Sequence, residues 1–172
     1  MKRTLLLSGL AGLVVAIQPV AAIQVPQTRQ AFMDAVAAGG RGTAVDKLVV
    51  ERGFHEIYRL LEKKSSTCLD VQVKRSGFVG NQMEVSSSDY NPTLRRVGQT
   101  KAEFALQVVH RPRAVGEVAP PGGLYVMAAD IKSLGKARTE VVLYRPTIGF
   151  KNITKSLKQW VAGEDADCPK LK

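Results

Sequence analysis

Histidine and cysteine each occur only twice in this 172-residue chain, tryptophan once, and aromatic residues make up 6%. Each shortage excludes a chemistry. A stacking platform for single-stranded nucleic acid interleaves aromatic and basic side chains, and so small an aromatic share does not supply one, so no nucleic-acid partner is expected. His55-Glu56 has no second histidine four positions on, so the helical zinc motif is missing. Ser86, Ser87 and Ser88 lie outside any G-x-S-x-G elbow, and His110 has no such nucleophile near it in sequence. The two cysteines lack the close Cys-X-X-Cys spacing of a redox pair. Acidic residues number 15 against 25 basic ones. Their one cluster, Glu164, Asp165 and Asp167, lacks the alternating ligands and central glycine of a calcium loop. Asn152-Ile153-Thr154 matches a glycosylation sequon but falls at a helix start, where chance accounts for it. No catalytic set, metal site or cofactor motif emerges, and the expectation is a non-enzymatic protein.

Long apolar runs are also scarce. The one run, Leu5 to Ile17, follows the positive Lys2 and Arg3 and precedes the small residues Val20-Ala21-Ala22. That is the layout of a secretory signal peptide over residues 1–22, with the mature chain starting near Ile23. The run is shorter than the roughly 20 residues of a membrane span, so no stable span is expected after cleavage. An exported chain folds where disulfides persist, which places the protein in the periplasm or outside the cell and suggests a Cys68–Cys168 bridge. The formal charge of +10 falls to about +8 once Lys2 and Arg3 leave. A balance of that sign favours anionic surfaces such as lipid head groups or acidic glycans.

Periodicity and turn residues organise the rest. Thr28 caps a helix running through about Ala38, with Ala31, Phe32, Ala35 and Val36 on one face. Gly39-Gly40-Arg41-Gly42 ends it, so residues 23–44 read as a helical lead and a glycine-rich joint. One domain is expected over residues 45–172. Asp46 to Arg52 reads as a strand, and Phe54 to about Thr67 as a helix burying Phe54, Ile57, Tyr58 and Leu61. Strands follow at Leu69 to Arg75, at Gln82 to Tyr90 (polar, an edge candidate) with Thr93 to Val97 as its continuation or a separate short strand after Pro92, and at Glu103 to His110. Pro120-Pro121-Gly122-Gly123 makes a connection. Leu124 to Ile131, apolar on both faces, reads as a central strand. A turn over Ser133 to Lys136 leads into Arg138 to Arg145. The last helix, Phe150 to Ala162, buries Phe150, Ile153, Leu157, Trp160 and Val161.

This order of strand, helix, antiparallel strands and C-terminal helix defines an α+β class. A curved antiparallel sheet with the helices on one face would bury every stripe. Over residues 45 to 162 the order and amphipathicity resemble the helix-grip fold of START and Bet v 1-like proteins. That resemblance implies a C-terminal helix lying across the sheet and a ligand space beneath it for lipid-like molecules. Phe104, Leu106, Val108, Tyr125, Met127 and Trp160 are the candidate lining, and the same residues would serve as an ordinary core. Arg95, Arg96, Arg111 and Arg113 are the candidate patch for an anionic partner, with Lys101, Lys132, Lys136 and Arg138 recurring at other strand ends. Their alternative role is to guard strand edges. Two readings follow: an exported binder of a hydrophobic or amphipathic ligand or envelope component, or a module that docks a protein partner.

Overall fold

A computed structural model describes residues 25–113 and 118–171. The signal-peptide reading over residues 1–22 and the start near Ile23 lie outside the described residues. Among the described residues the elements are α1 (Arg29–Ala37), β1 (Thr43–Val50), α2 (Phe54–Cys68), β2 (Val71–Val79), β3 (Gln82–Arg96), β4 (Lys101–Arg111), β5 (Leu124–Ser133), β6 (Thr139–Pro146) and α3 (Lys151–Val161). The chain is thus α+β, as its periodicities require.

The strands form one six-stranded sheet in the order β1-β6-β5-β4-β3-β2, and every neighbouring pair is antiparallel. Turns of two to five residues join β2 to β3, β3 to β4 and β5 to β6, and a longer connection joins β4 to β5. The first strand instead reaches β6, because α2 intervenes between β1 and β2 and carries the chain to the far edge. Gln82 to Tyr90 is therefore not an edge: β2 covers it. That polar stretch and Thr93 to Val97 are one strand, continuous through Pro92, which pairs with Leu106 by register.

Side chains alternate across each strand. Phe104, Leu106 and Val108 of β4, Met127, Ala129 and Ile131 of β5, and Val141 and Leu143 of β6 face α2 and α3. Those helices contribute Phe54, Ile57 and Leu61, and Ile153, Leu157, Trp160 and Val161. The C-terminal helix therefore packs on the sheet together with α2. At their edge Asp46 of β1 receives Arg145 at 2.5 Å and Lys158 of α3 at 2.9 Å, tying strand to helix. The Arg145 hydrogen bond leads in holding the Asp46 carboxyl below its ordinary value, against the opposing cost of burial.

Among the described residues the opposite face is only partly covered. α1 covers one part of it, where Phe32, Met33 and Val36 pack on Ala128 with Tyr125 and Tyr144. Thr28 caps α1 as expected, its side chain accepting from the Ala31 N–H. The helix takes this face because α2 and α3 fill the other. Its docking is fixed by Arg29, which donates to the carbonyls of Phe104 (3.2 Å) and Ala129 (2.7 Å) and pairs with Asp130.

Candidate functional site: the sheet ends and the helix-covered face

The expected ligand lining divides. Phe104, Leu106, Val108, Met127 and Trp160 converge between the sheet and the helices, each 1% exposed or less. The free space among Leu61, Phe104, Leu143 and Leu157 is about 10 Å³, at the lower limit for one water. These five residues form a packed core. Tyr125 lies on the other face, stacked with Phe32 at 6.3 Å between ring centroids. The cause is a break in register between Leu106 and Gln107, which pair with Met127 and Tyr125 and leave Val126 as an extra residue. Such a bulge shifts the facing of every residue before it, and strict alternation read from sequence cannot anticipate it.

The same end of β4 is anchored by a polar clasp. The buried Gln107 donates from Nε2 to the carbonyls of Pro121 and Gly123, each at 2.8 Å. Gly123 has a φ of 102°, and a Cβ there would stand 2.4 Å from the Val108 carbonyl oxygen. Only glycine allows that approach.

The four candidate arginines are not brought together. Arg95 and Arg96 end β3 beside the start of β4, whereas Arg111 ends β4 and Arg113 follows it. Nine residues of extended strand, roughly 30 Å, separate the two pairs. Arg95 binds Glu103 at 2.8 Å. Arg96 lies over the rings of Phe54 and Tyr58 and contacts His55 Nδ1. Arg111 pairs with Asp89 at 3.1 Å. Antiparallel pairing gathers a different set: Lys101 at the start of β4, Lys132 near the end of β5, and Lys136 and Arg138 in the next turn all share the Arg95 end. All four are exposed. Lys101 and Lys132 are direct cross-strand partners.

The other end of the sheet carries apolar side chains. Beyond the last β3–β4 pair, Ser87 with Arg111, the β2–β3 hairpin continues from Arg75–Ser86 to Val79–Gln82 without a third strand among the described residues. On one face of this ribbon Phe78 is 76% exposed, and its cross-strand partner Met83 and nearby Val85 are each 63% exposed. Lys74, Ser87 and Arg111 form the next row back on that face. Val118 and Ile148, also exposed, belong to connections at this end.

A cleft of about 210 Å³ opens where α3 begins, lined by Tyr90, Phe150, Ile153 and Leu171 with Lys151, Asn152 and Lys170. Burial raises the Tyr90 hydroxyl above its ordinary value, with Arg75 opposing. Further along that face Ser88 Oγ and His110 Nδ1 stand 3.0 Å apart as cross-strand partners. Asp89, the nearest carboxylate in sequence, faces the opposite side, where Arg111 and Gln72 hold it. Among the described residues no three His, Cys, Asp or Glu side chains converge as a metal site. In the acidic tail, Asp165 pairs with Lys64 and Glu164 accepts from Gln159.

Cys68 and Cys168 are bonded, with 5.1 Å between their Cα atoms. Around that bond Lys64 Nζ and Trp160 Nε1 both donate to the Ala166 carbonyl. The tail is thus strapped across the ends of α2 and α3.

No family model and no curated protein matches this chain. Among solved structures, the crystal structure of Ara h 8.0201 aligns with 70% of this chain and 95% of its own. Identity is 8% and the TM-score 0.33, a likeness too distant to bear on what this chain does.

Proposed function

We propose that this chain is a non-enzymatic exported protein that binds an anionic component of the cell envelope at the Lys101–Lys132 end of its sheet. One juxtaposition carries the reading. Lys101 and Lys132 stand directly opposite each other, and like charges so placed repel. Glu140, the next partner of Lys132, is already engaged by Lys47 at 2.5 Å. Lys136 and Arg138 add charge of the same sign in the adjoining turn. A phosphate- or sulfate-bearing partner would relieve that repulsion and compete with salt in doing so. Titration with dextran sulfate at rising ionic strength tests this. Binding should weaken with salt and fall at least tenfold in Lys101→Glu/Lys132→Glu; salt-independent binding, or an unchanged variant, would overturn it.

A hydrophobic or amphipathic small molecule is the second reading, favoured by the cleft at the start of α3. Its apolar floor (Phe150, Ile153, Leu171) and cationic rim (Lys151, Lys170) suit a short acyl chain with an anionic head. At about 210 Å³ it falls below the roughly 300 Å³ of an ordinary ligand site, so only a small ligand fits. Native mass spectrometry of protein recovered without denaturation would reveal such a ligand as added mass. An apo mass, with no uptake of a short-chain fatty acid, would remove this reading.

A further inference from the structure

The β2–β3 ribbon carries the three most exposed large apolar side chains of the described strands, Phe78, Met83 and Val85. We infer that this ribbon is a membrane-docking arm, which lays the Phe78, Met83 and Val85 face into the interfacial layer of an anionic bilayer. The inference rests on the envelope reading above for the sign of the surface, but it uses the other end of the sheet.

The distribution of residues on the ribbon argues for lipid. Apolar side chains occupy the tip, and Lys74 and Arg111 occupy the row behind them on the same face. Lys74 precedes Phe78 by four residues, roughly 13 Å of extended strand. That spacing lets the tip sink the 5–10 Å typical of interfacial segments, roughly to the acyl boundary, while Lys74 remains among the head groups. The reverse face carries Arg75, Glu84 and Ser86, which suits water.

Two other occupants fit less well. A stable protein interface buries roughly 800 Å² per partner, and three side chains on a two-stranded arm offer much less. A bilayer makes no such demand, because each side chain partitions by itself. Strand addition along the free edge of β2 is opposed by Lys74 and Arg75 in its middle, a placement that guards edges. A second copy paired antiparallel about Arg75 would set that arginine against itself.

The test uses the purified, oxidised protein with vesicles of phosphatidylglycerol and phosphatidylcholine, and with phosphatidylcholine alone. Trp160 is fully buried and serves as an internal control. In Phe78→Trp the new indole should be quenched by lipids brominated on their acyl chains, while wild-type fluorescence stays unchanged. Phe78→Ser/Met83→Ser should lower partitioning into anionic vesicles about tenfold or more and leave dextran sulfate binding intact. Vesicle binding with an unquenched indole and no loss in the double variant would overturn the arm and leave the cationic-end reading standing. Loss only in Lys101→Glu/Lys132→Glu would do the same. Failure of wild type to bind either vesicle, together with retained dextran sulfate binding, would also reject the arm alone. Failure with all three probes would remove both proposals.

Discussion

Arg29, the first residue of α1, and Asp130, in the middle of β5, meet at 2.5 Å on the face of the sheet that α2 and α3 leave open. The same guanidinium spans the carbonyls of Phe104 and Ala129. One side chain thereby binds a helix to two strands far from it in sequence. The apolar contacts of Phe32, Met33 and Val36 then close over Ala128.

Arg29→Ala should release α1 locally. Hydrogen bonds to charged groups contribute about 1.5–3 kcal/mol, so a loss of about 2 kcal/mol is expected, concentrated in the helix. Amide hydrogen exchange over residues 29–37 should accelerate while α2 keeps its protection. Uniform acceleration would mean that α1 unfolds only with the whole body.

The Cys68–Cys168 bond closes a separation of 100 residues. Chain entropy assigns such a closure up to about 4.7 kcal/mol, with less in practice. Cys68→Ser/Cys168→Ser should melt well below the oxidised protein and free the tail after Gly163 for proteolysis. Identical melting curves would show that Lys64 and Trp160 hold the tail without the bond.

Asp46 should make stability depend on acid. Its folded carboxyl lies below the ordinary value of 3.8, led by the Arg145 hydrogen bond. The folded state therefore binds fewer protons than the unfolded one in this window. The contribution is full above the unfolded value, declines as pH falls below about 3.8, and is gone beneath the lowered folded value. Its size is of order 1 kcal/mol for a partly exposed pair. Denaturant titrations from pH 6 to pH 2 should show a shallower acid decline in Asp46→Asn than in wild type.

Gly123→Ala should destabilise by about 2 kcal/mol, because the new Cβ would press on the Val108 carbonyl at 2.4 Å. The Gln107 clasp on Pro121 and Gly123 would loosen with it. Gly135→Ala supplies the comparison: its φ is also positive, at 137°, but nothing lies within 4 Å of its Cβ position. A larger loss at position 135 would contradict the crowding argument.

The helices were the most legible part of the sequence. Thr28, the Gly39–Gly42 joint, Gly53 and Gly163 bound them within a residue or two, since caps and breakers act locally. Strand positions were less clear: β2 runs four residues past Arg75 to Val79, and Pro92 left open whether Thr93 to Val97 continued the strand before it, as it does in β3. Pro92 pairs with Leu106 in a strand whose neighbours on both sides are in place, and that context outweighs the local signal. The lining set was legible as apolar but not as core, because Phe104 reads the same above a cavity as against Leu61. Tyr125 was misplaced by a bulge that only the pairing of β4 with β5 reveals. The exposed arm left a faint signal: Phe78 and Met83 flank the turn residues Gly80-Asn81.

By itself the sequence determined the kind and order of the elements, the amphipathic faces of the helices and the net positive charge. These depend on neighbours along the chain, through periodicity, capping and composition. Tertiary structure alone decided that β1 closes on β6, that α1 takes the second face, and that Lys101 and Lys132 stand together while Arg96 and Arg111 stand apart. It also decided that the β2–β3 hairpin outruns the sheet. These follow from strand order and register, which pair residues distant in sequence and are set by how all the apolar stripes can be buried at once.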